Sequence, residues 1–267
     1  MSDKPLVSII IPSYNKGKYV PETLASVYKQ EYPNWECIIV DDGSTDEHTL
    51  QVLRNIKHEK VSVVFSENKG VSAARNQAVA LSGGKYILPL DADDLIAPSY
   101  LAETVPIIER DPSVKVVNTT VQLFGDKTGT MELPSFNLQT LLARNTMVVT
   151  ALFRKTDFIA SGGYDVKMRK GFEDWDFWLS FLADGGHVHT VPKPLFFYRI
   201  IKNSRNYSLT QEDLKALRYK IYENHVALYQ RFLLDPTESF EYDRLKNSLE
   251  YRLGRLLAKP LRFLLRR

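Results

Sequence analysis

Apolar and polar positions follow two rhythms along the first hundred residues. Short β-branched runs at Val7 to Ile11, Glu36 to Val40, Val61 to Phe65 and Tyr86 to Leu90 predict strands. Between them, apolar residues recur at helical spacing: Val20, Leu24, Val27 and Tyr28 share one face, as do Leu50, Leu53 and Ile56, and then Val71, Ala74, Ala78 and Leu81. Strand and helix in alternation predict βαβ units, and hence an α/β fold with a mainly parallel sheet flanked by helices.

The rhythm then loosens. A helix is expected near Ser99 to Glu109 with a kink at Pro106, strands at Val114 to Val117 and Met147 to Phe153, and a short helical turn ended by Gly162-Gly163. Glu173 to Ala183 reads as an amphipathic helix closed by Gly185, followed by a pair of strands at His187 to Val191 and Leu195 to Tyr198. From Thr210, which with Asp213 forms an N-cap pattern, only helical spacing remains: Leu214, Leu217, Ile221, Leu228 and Phe232, a break at Asp235-Pro236, then Leu245, Leu249, Leu253 and Leu256. The expected organisation is an α/β domain over 1–205, divided into halves at 1–95 and 96–205, with a helical C-terminal appendage over 206–267.

Composition narrows the class. The chain has 267 residues, 44% hydrophobic and 25% charged, which suits a globular domain with a sizeable core. A net charge of +3 gives no case for nucleic acid. The one cysteine, Cys37, sits in an apolar run, so neither a disulfide framework nor a thiolate metal site is expected, and a reducing compartment fits. No export signal and no stretch of about 18 apolar residues is visible. A cytoplasmic protein is expected, with the inner face of the plasma membrane as one place of work. The segment from 251 to 267 carries six Lys or Arg and no acid among its leucines, which suits either peripheral contact with an anionic membrane or packing on the domain or on a second copy as a homodimer.

Polar clusters follow all four N-terminal strands: Ser13-Tyr14-Asn15, Asp41-Asp42-Gly43-Ser44, Asn68-Lys69-Gly70 and Asp91-Ala92-Asp93-Asp94. Ligands of an open parallel sheet sit beyond these carboxyl ends. Three carboxylates within four residues repel one another unless solvated, capping or neutralised by a cation, and Mg²⁺ or Mn²⁺ held by one or two of them would leave positions for phosphate oxygens. A solvated acidic turn capping the next helix explains the triplet equally well. Capping also accounts for Ser44, Thr45 or Asp46, though not for both Asp41 and Asp42.

In order and spacing, Val7 to Asn15, Val40 to Asp46, Asn68 to Asn76 and Leu90 to Asp94 closely resemble family 2 glycosyltransferases. The resemblance is specific over 6–95, looser over 150–205, and uninformative beyond 206. It implies a GT-A fold of Rossmann-like type and a metal-dependent hexosyl- or N-acetylhexosaminyltransferase. Such an enzyme inverts the anomeric centre of a nucleotide-diphosphate sugar, often a UDP-sugar, with Mn²⁺ or Mg²⁺ as cofactor. The acceptor would be a glycan or lipid-linked sugar, as in cell-surface polysaccharide synthesis.

By the same resemblance Pro12, Tyr14 and Asn15 would line the nucleotide pocket, Asp42 would contact the base, and Arg75 the nucleotide or diphosphate. Asp91 and Asp93 match the Asp-X-Asp motif, and Asp93 and Asp94 would divide ribose and metal between them. Glu173-Asp174 resembles the family's Glu-Asp pair and makes Asp174 the candidate general base, with Trp175 and Trp178 offering aromatic surface to a sugar. Simpler readings stand beside these: Tyr14 as a core aromatic, Arg75 as a surface cation, Asp174 as a helix-start charge. One departure is visible: many relatives place a histidine two residues after a late Tyr-Arg, whereas Tyr198-Arg199 is followed by Ile200 and Ile201. Arg199, Lys202 and Ser204 are candidates to cover the diphosphate. Two other functions fit an acidic nucleotide pocket, a sugar-phosphate nucleotidyltransferase and an inactive nucleotide-sugar-binding module. The first lacks its glycine-rich loop after strand one.

Overall fold

The computed structural model describes residues 4–131, 133–202, 209–232 and 240–264. Its centre is one nine-stranded sheet. β1 (Val7–Ser13), β2 (Trp35–Asp42), β3 (Val61–Ser66) and β4 (Tyr86–Pro89) form the parallel half, in the order β3-β2-β1-β4. β8 (Leu152–Arg154) runs antiparallel beside β4 and joins it to β6 (Val114–Gly125). β9 (His187–Ile200) lies parallel to β6, β5 (Leu95–Ile96) closes the far edge, and β7 (Gly129–Met131) adds to β6.

Every residue of β1 is buried, as expected of a strand covered on both faces. Its side chains alternate between two cores. Ile9 and Ile11, with Cys37, Ile39 and Leu88, pack under α1 (Val20–Tyr28), α2 (Glu47–Arg54) and α4 (Tyr100–Arg110). Ile10, with Ile38, Val40 and Ile87, faces the opposite layer of α3 (Val71–Leu81), α5 (Leu138–Ala143), α6 (Lys155–Ala160) and α7 (Glu173–Phe181). α7 is fixed there by aromatic packing, with the ring of Phe153 5.5 Å from Phe177 and 5.9 Å, edge-on, from Trp178.

Helices α8 (Gln211–Asn224) and α9 (Val226–Phe232) pack into this second layer. Leu217 and Ile221 are buried in the core, and the Tyr229 hydroxyl donates to the Leu142 carbonyl at 2.7 Å. The capping box at Thr210 is present with Asp213. Asp176 on α7 accepts from Asn224 at 2.8 Å and lies 3.0 Å from Nε2 of the buried His225. α10 (Phe240–Asn247) and α11 (Leu249–Leu264) follow, and α11 continues through Pro260. Leu249, Leu253, Leu256 and Leu257 are exposed. Among the described residues no helix is long and apolar enough to cross a membrane. The Asp235-Pro236 break, Ser204 and the last three residues lie outside the described set.

Two expectations differ and one helix was not foreseen. The pair of strands over 187–198 is one strand, because Pro192 and Pro194 sit where β9 shifts register against β6, and a bulge needs no ladder N–H. The strand over Met147 to Phe153 shrinks to Leu152–Arg154. The six-residue α5, capped by Asn137 through the Thr140 N–H, is too short to show as periodicity.

Candidate active site

The loops after β1, β2, β3 and β4 reach the same rim, because in-register parallel strands end level: Ser13 pairs with Asp41 and Asp42 with Ser66. Each carboxylate there has its own partner. Asp41 accepts the backbone N–H of Ser44 at 3.0 Å and its hydroxyl at 2.5 Å, which closes the turn after β2. Asp42 accepts the N–H groups of Lys69 and Gly70 at 2.7 and 2.9 Å, tying that turn to the entry of α3. Gly43, at φ +69°, makes the approach possible, since a Cβ there would stand 2.6 Å from the Asn68 nitrogen. The need for both aspartates is thus met: one shapes its own turn, the other holds a neighbouring loop.

Asn15 adopts a left-handed φ of 53° and its side chain turns toward α2. Its Oδ1 accepts the N–H groups of Thr45 and Asp46 at 2.9 and 3.0 Å, and its Nδ2 donates to the Thr45 hydroxyl at 3.2 Å. It is not among the residues lining the cavity described next.

A first cavity of about 370 Å³ opens on the rim, and Pro12, Tyr14, Asp42, Arg75, Asp91 and Asp93 all line it. Tyr14 is 45% exposed at its mouth. Arg75 is a buried cation rather than a surface one, 2% exposed, with one guanidinium nitrogen 2.7 Å from Asp91 and another 3.3 Å from Glu173. Those carboxylates hold it charged against the cost of burial. Lys16 donates to Asp93 at 2.5 Å.

Asp94 points inward: it is 1% exposed, Oδ1 accepts the Arg199 N–H at 2.8 Å, and Oδ2 is buried without a partner. Desolvation, then Asp91 and Asp93, push its carboxyl well above the usual range. Arg199 also donates from Nε to the Asp93 carbonyl at 2.7 Å and pairs with Glu22 at 2.6 Å. Among the described residues no three His, Cys, Asp or Glu side chains converge as a metal cage.

A second cavity of about 440 Å³ lies behind the first and shares Arg75, Asp91, Glu173 and Tyr198 with it. Asp174 lines this second space. Its Oδ1 accepts its neighbour Trp175's N–H at 2.8 Å and its Oδ2 accepts from Asn145 Nδ2 at 2.9 Å. Desolvation, then the Glu173 carboxylate, push its pKa up to about 6. Phe172 enters α7 at φ 62°, a left-handed conformation that costs a side-chain-bearing residue about 1 kcal/mol or more.

Trp175 and Trp178 offer no surface to a sugar. They are 3% and 0% exposed, and the Trp175 indole donates to the Leu141 carbonyl.

Sequence reading missed Lys16, Arg169, Asn145 and the placement of Tyr198. Arg169 lines the first cavity, its Nε 3.7 Å from where a Gly70 Cβ would stand. Nothing in a loop sequence marks Arg169 or Asn145. Ile201, noted above as a departure from the family pattern, lines the first cavity. The Lys202 N–H donates to Asp126 at 2.7 Å.

Known proteins are similar to this chain. EpsE of Bacillus subtilis (strain 168), provisionally named a glycosyltransferase, is 28% identical over 86% of this chain and 83% of its own length. TuaG of the same organism, provisionally named a teichuronic acid biosynthesis glycosyltransferase, is 31% identical over 75% of this chain and 81% of its own. Among solved structures, S. aureus TarS 1-349 in complex with UDP-GlcNAc matches with a TM-score of 0.71 at 22% identity, covering 92% of this chain and 77% of that one. The mannosyltransferase PcManGT from Pyrobaculum calidifontis, in complex with GDP-Man and Mn²⁺, gives 0.60 at 20% identity over 99% and 81%. These likenesses show the GT-A fold. The model of the family described as Glycosyl transferase family 2 matches residues 8–174, well over half the chain, and the protein belongs to that family and is a glycosyltransferase.

Proposed function

We propose that this enzyme moves a sugar from a nucleoside-diphosphate donor, a UDP-sugar by preference, to an acceptor hydroxyl with inversion at the anomeric carbon. The observation that carries the reading is the pair of cavities meeting at Arg75, Asp91, Glu173 and Tyr198, with cations around one and the ionisable Asp174 in the other. The ligands of the two solved relatives, UDP-GlcNAc and GDP-Man with Mn²⁺, support a donor of this class.

In this reading Tyr14 and Pro12 flank the nucleoside, with Asp42 toward the base. Arg169 and Lys16 face the diphosphate, and Arg75 holds Asp91 in place. The donor set fits a hard divalent cation: all candidates are carboxylates, and the buried Oδ2 of Asp94 lacks a partner. Asp93, which lines the first cavity, and Asp94 behind it are the residues that would hold Mn²⁺ or Mg²⁺ next to the diphosphate. When bound, the cation neutralises charge on the leaving diphosphate.

Asp174 takes the proton from the acceptor hydroxyl. The freed oxygen electron pair then bonds to the anomeric carbon as the bond to the nucleoside diphosphate breaks on the opposite face. A carboxyl titrating near 6 is ionised at neutral pH yet basic enough to help. Asn145 aims it.

The test is nucleoside diphosphate release from a donor panel with Mn²⁺. Asp174→Asn should bind UDP as the wild type does and lose about 10²-fold or more in kcat, whereas Asp93→Ala should weaken Mn²⁺-dependent donor binding. Undiminished transfer by Asp174→Asn would remove the base. Pyrophosphate formed from a nucleoside triphosphate and a sugar phosphate would install the nucleotidyltransferase reading instead.

A further inference from the structure

We propose that Tyr198 is a further catalytic residue, whose hydroxyl donates to the sugar of the donor and so sets that sugar between the diphosphate and Asp174; this rests on the transferase reading above and names the group that tells a nucleotide sugar from the bare nucleotide. In that reading the nucleotide fills the first cavity and the acceptor hydroxyl meets Asp174 in the second, so the sugar has to lie where the two spaces join. Four side chains border both spaces: Arg75, Asp91, Glu173 and Tyr198. Arg75 is engaged by Asp91 at 2.7 Å and by Glu173 at 3.3 Å. Among the described residues the Tyr198 hydroxyl has no hydrogen-bond partner.

The fold holds this hydroxyl firmly in place. Tyr198 pairs with Leu123 of β6, and the next residue is Arg199, whose N–H bonds Asp94 at 2.8 Å and whose Nε bonds the Asp93 carbonyl at 2.7 Å. The ring packs on the first core with its centroid 6.2 Å from that of Phe196. Only two side-chain torsions separate this fixed backbone from the phenol oxygen, so little freedom is lost when a ligand meets it. After burial, the charges of Asp94, Asp91, Asp93 and Asp174 push the phenol up to about 12, so acids of both cavities act on the one hydroxyl. It keeps its proton and can donate. A lysine at this place would be neutralised by those acids, and another carboxylate would add to their repulsion; a phenol does neither. Sugar ring and hydroxyl oxygens accept from such a donor. A bare nucleoside diphosphate ends at its phosphates, which in this reading face Lys16 and Arg169, and it offers Tyr198 nothing.

The experiment compares the full chain with Tyr198→Phe, which keeps the ring in its packing, by calorimetric titration in Mn²⁺ with UDP, GDP, UDP-glucose, UDP-N-acetylglucosamine and GDP-mannose. For the nucleotide sugar that the wild type binds best, the Kd of the variant should rise about five- to tenfold, while the Kd of the matching nucleoside diphosphate stays within about twofold. The second value also shows that the variant is folded. A nucleotide-sugar Kd that does not move, or an equal loss for the sugar-bearing and the bare nucleotide, would overturn the inference and leave the transferase reading standing. A wild type that binds the bare nucleotides but none of the nucleotide sugars would bring down the donor reading, and this inference with it.

Discussion

At the scale of single residues, the site is governed by which charges have partners. In the proposed mechanism Asp174 is the group whose titration reaches function. It is pushed up to about 6, and a base must be ionised, so kcat/KM should rise with pH along a limb centred near 6 and level off above it. Asn145 donates to the charged form and so favours it. Asn145→Ala should therefore move the limb to higher pH; a limb left where it was would show that Asn145 does not aim the base. The shared rim of Pro12, Tyr14, Asp42, Arg75, Asp91 and Asp93 was legible because these residues end consecutive strands or match a motif. Their division of labour was not. Arg75 reads as an ordinary helix cation until Asp91 and Glu173, 16 and 98 positions away, close on it. Lys16 likewise finds Asp93 across 77 positions. Such pairings are long-range, and no local pattern encodes them.

At the scale of elements, the parallel half was readable because buried parallel strands are apolar throughout and amphipathic helices repeat. The second half was readable only at its longer helices, α4 and α7, because β7, β8 and α5 are three to six residues long and β9 is broken by prolines that the sheet tolerates only at its register shift. The turns are as consequential as the strands. Gly43→Ala would drive a Cβ into the Asn68 backbone from a left-handed φ, with backbone on both sides and no flexible tip to yield. It should cost about 2 kcal/mol or more and raise the donor KM, because the loops after β2 and β3 both border the first cavity. Urea denaturation and donor titration check this; a shift in stability with an unchanged KM would separate the turn from the site.

At the scale of the whole molecule, two cores sandwich the sheet, and the second is completed by residues beyond the stretch that the family match covers. The sequence marks 206–267 as helical by spacing alone, and could not say that Leu217 and Ile221 face the same core as Phe177 and Trp178. Ile221 is 0% exposed, so Ile221→Ala should lower the unfolding free energy by about 2–5 kcal/mol in a single transition shared with the rest of the chain. A separate, low-stability transition would instead make this segment an independent unit.

The reach of Arg199 has a consequence for how the enzyme is born. Its N–H closes on Asp94 from 105 residues downstream and its guanidinium on Glu22 from 177. The parallel strands can pair as they leave the ribosome, N-terminal end first. The catalytic rim, however, stays open until β9 has emerged. A nascent chain arrested before that point should therefore be inert toward donor, so the growing polypeptide consumes no activated sugar until its last long strand is in place.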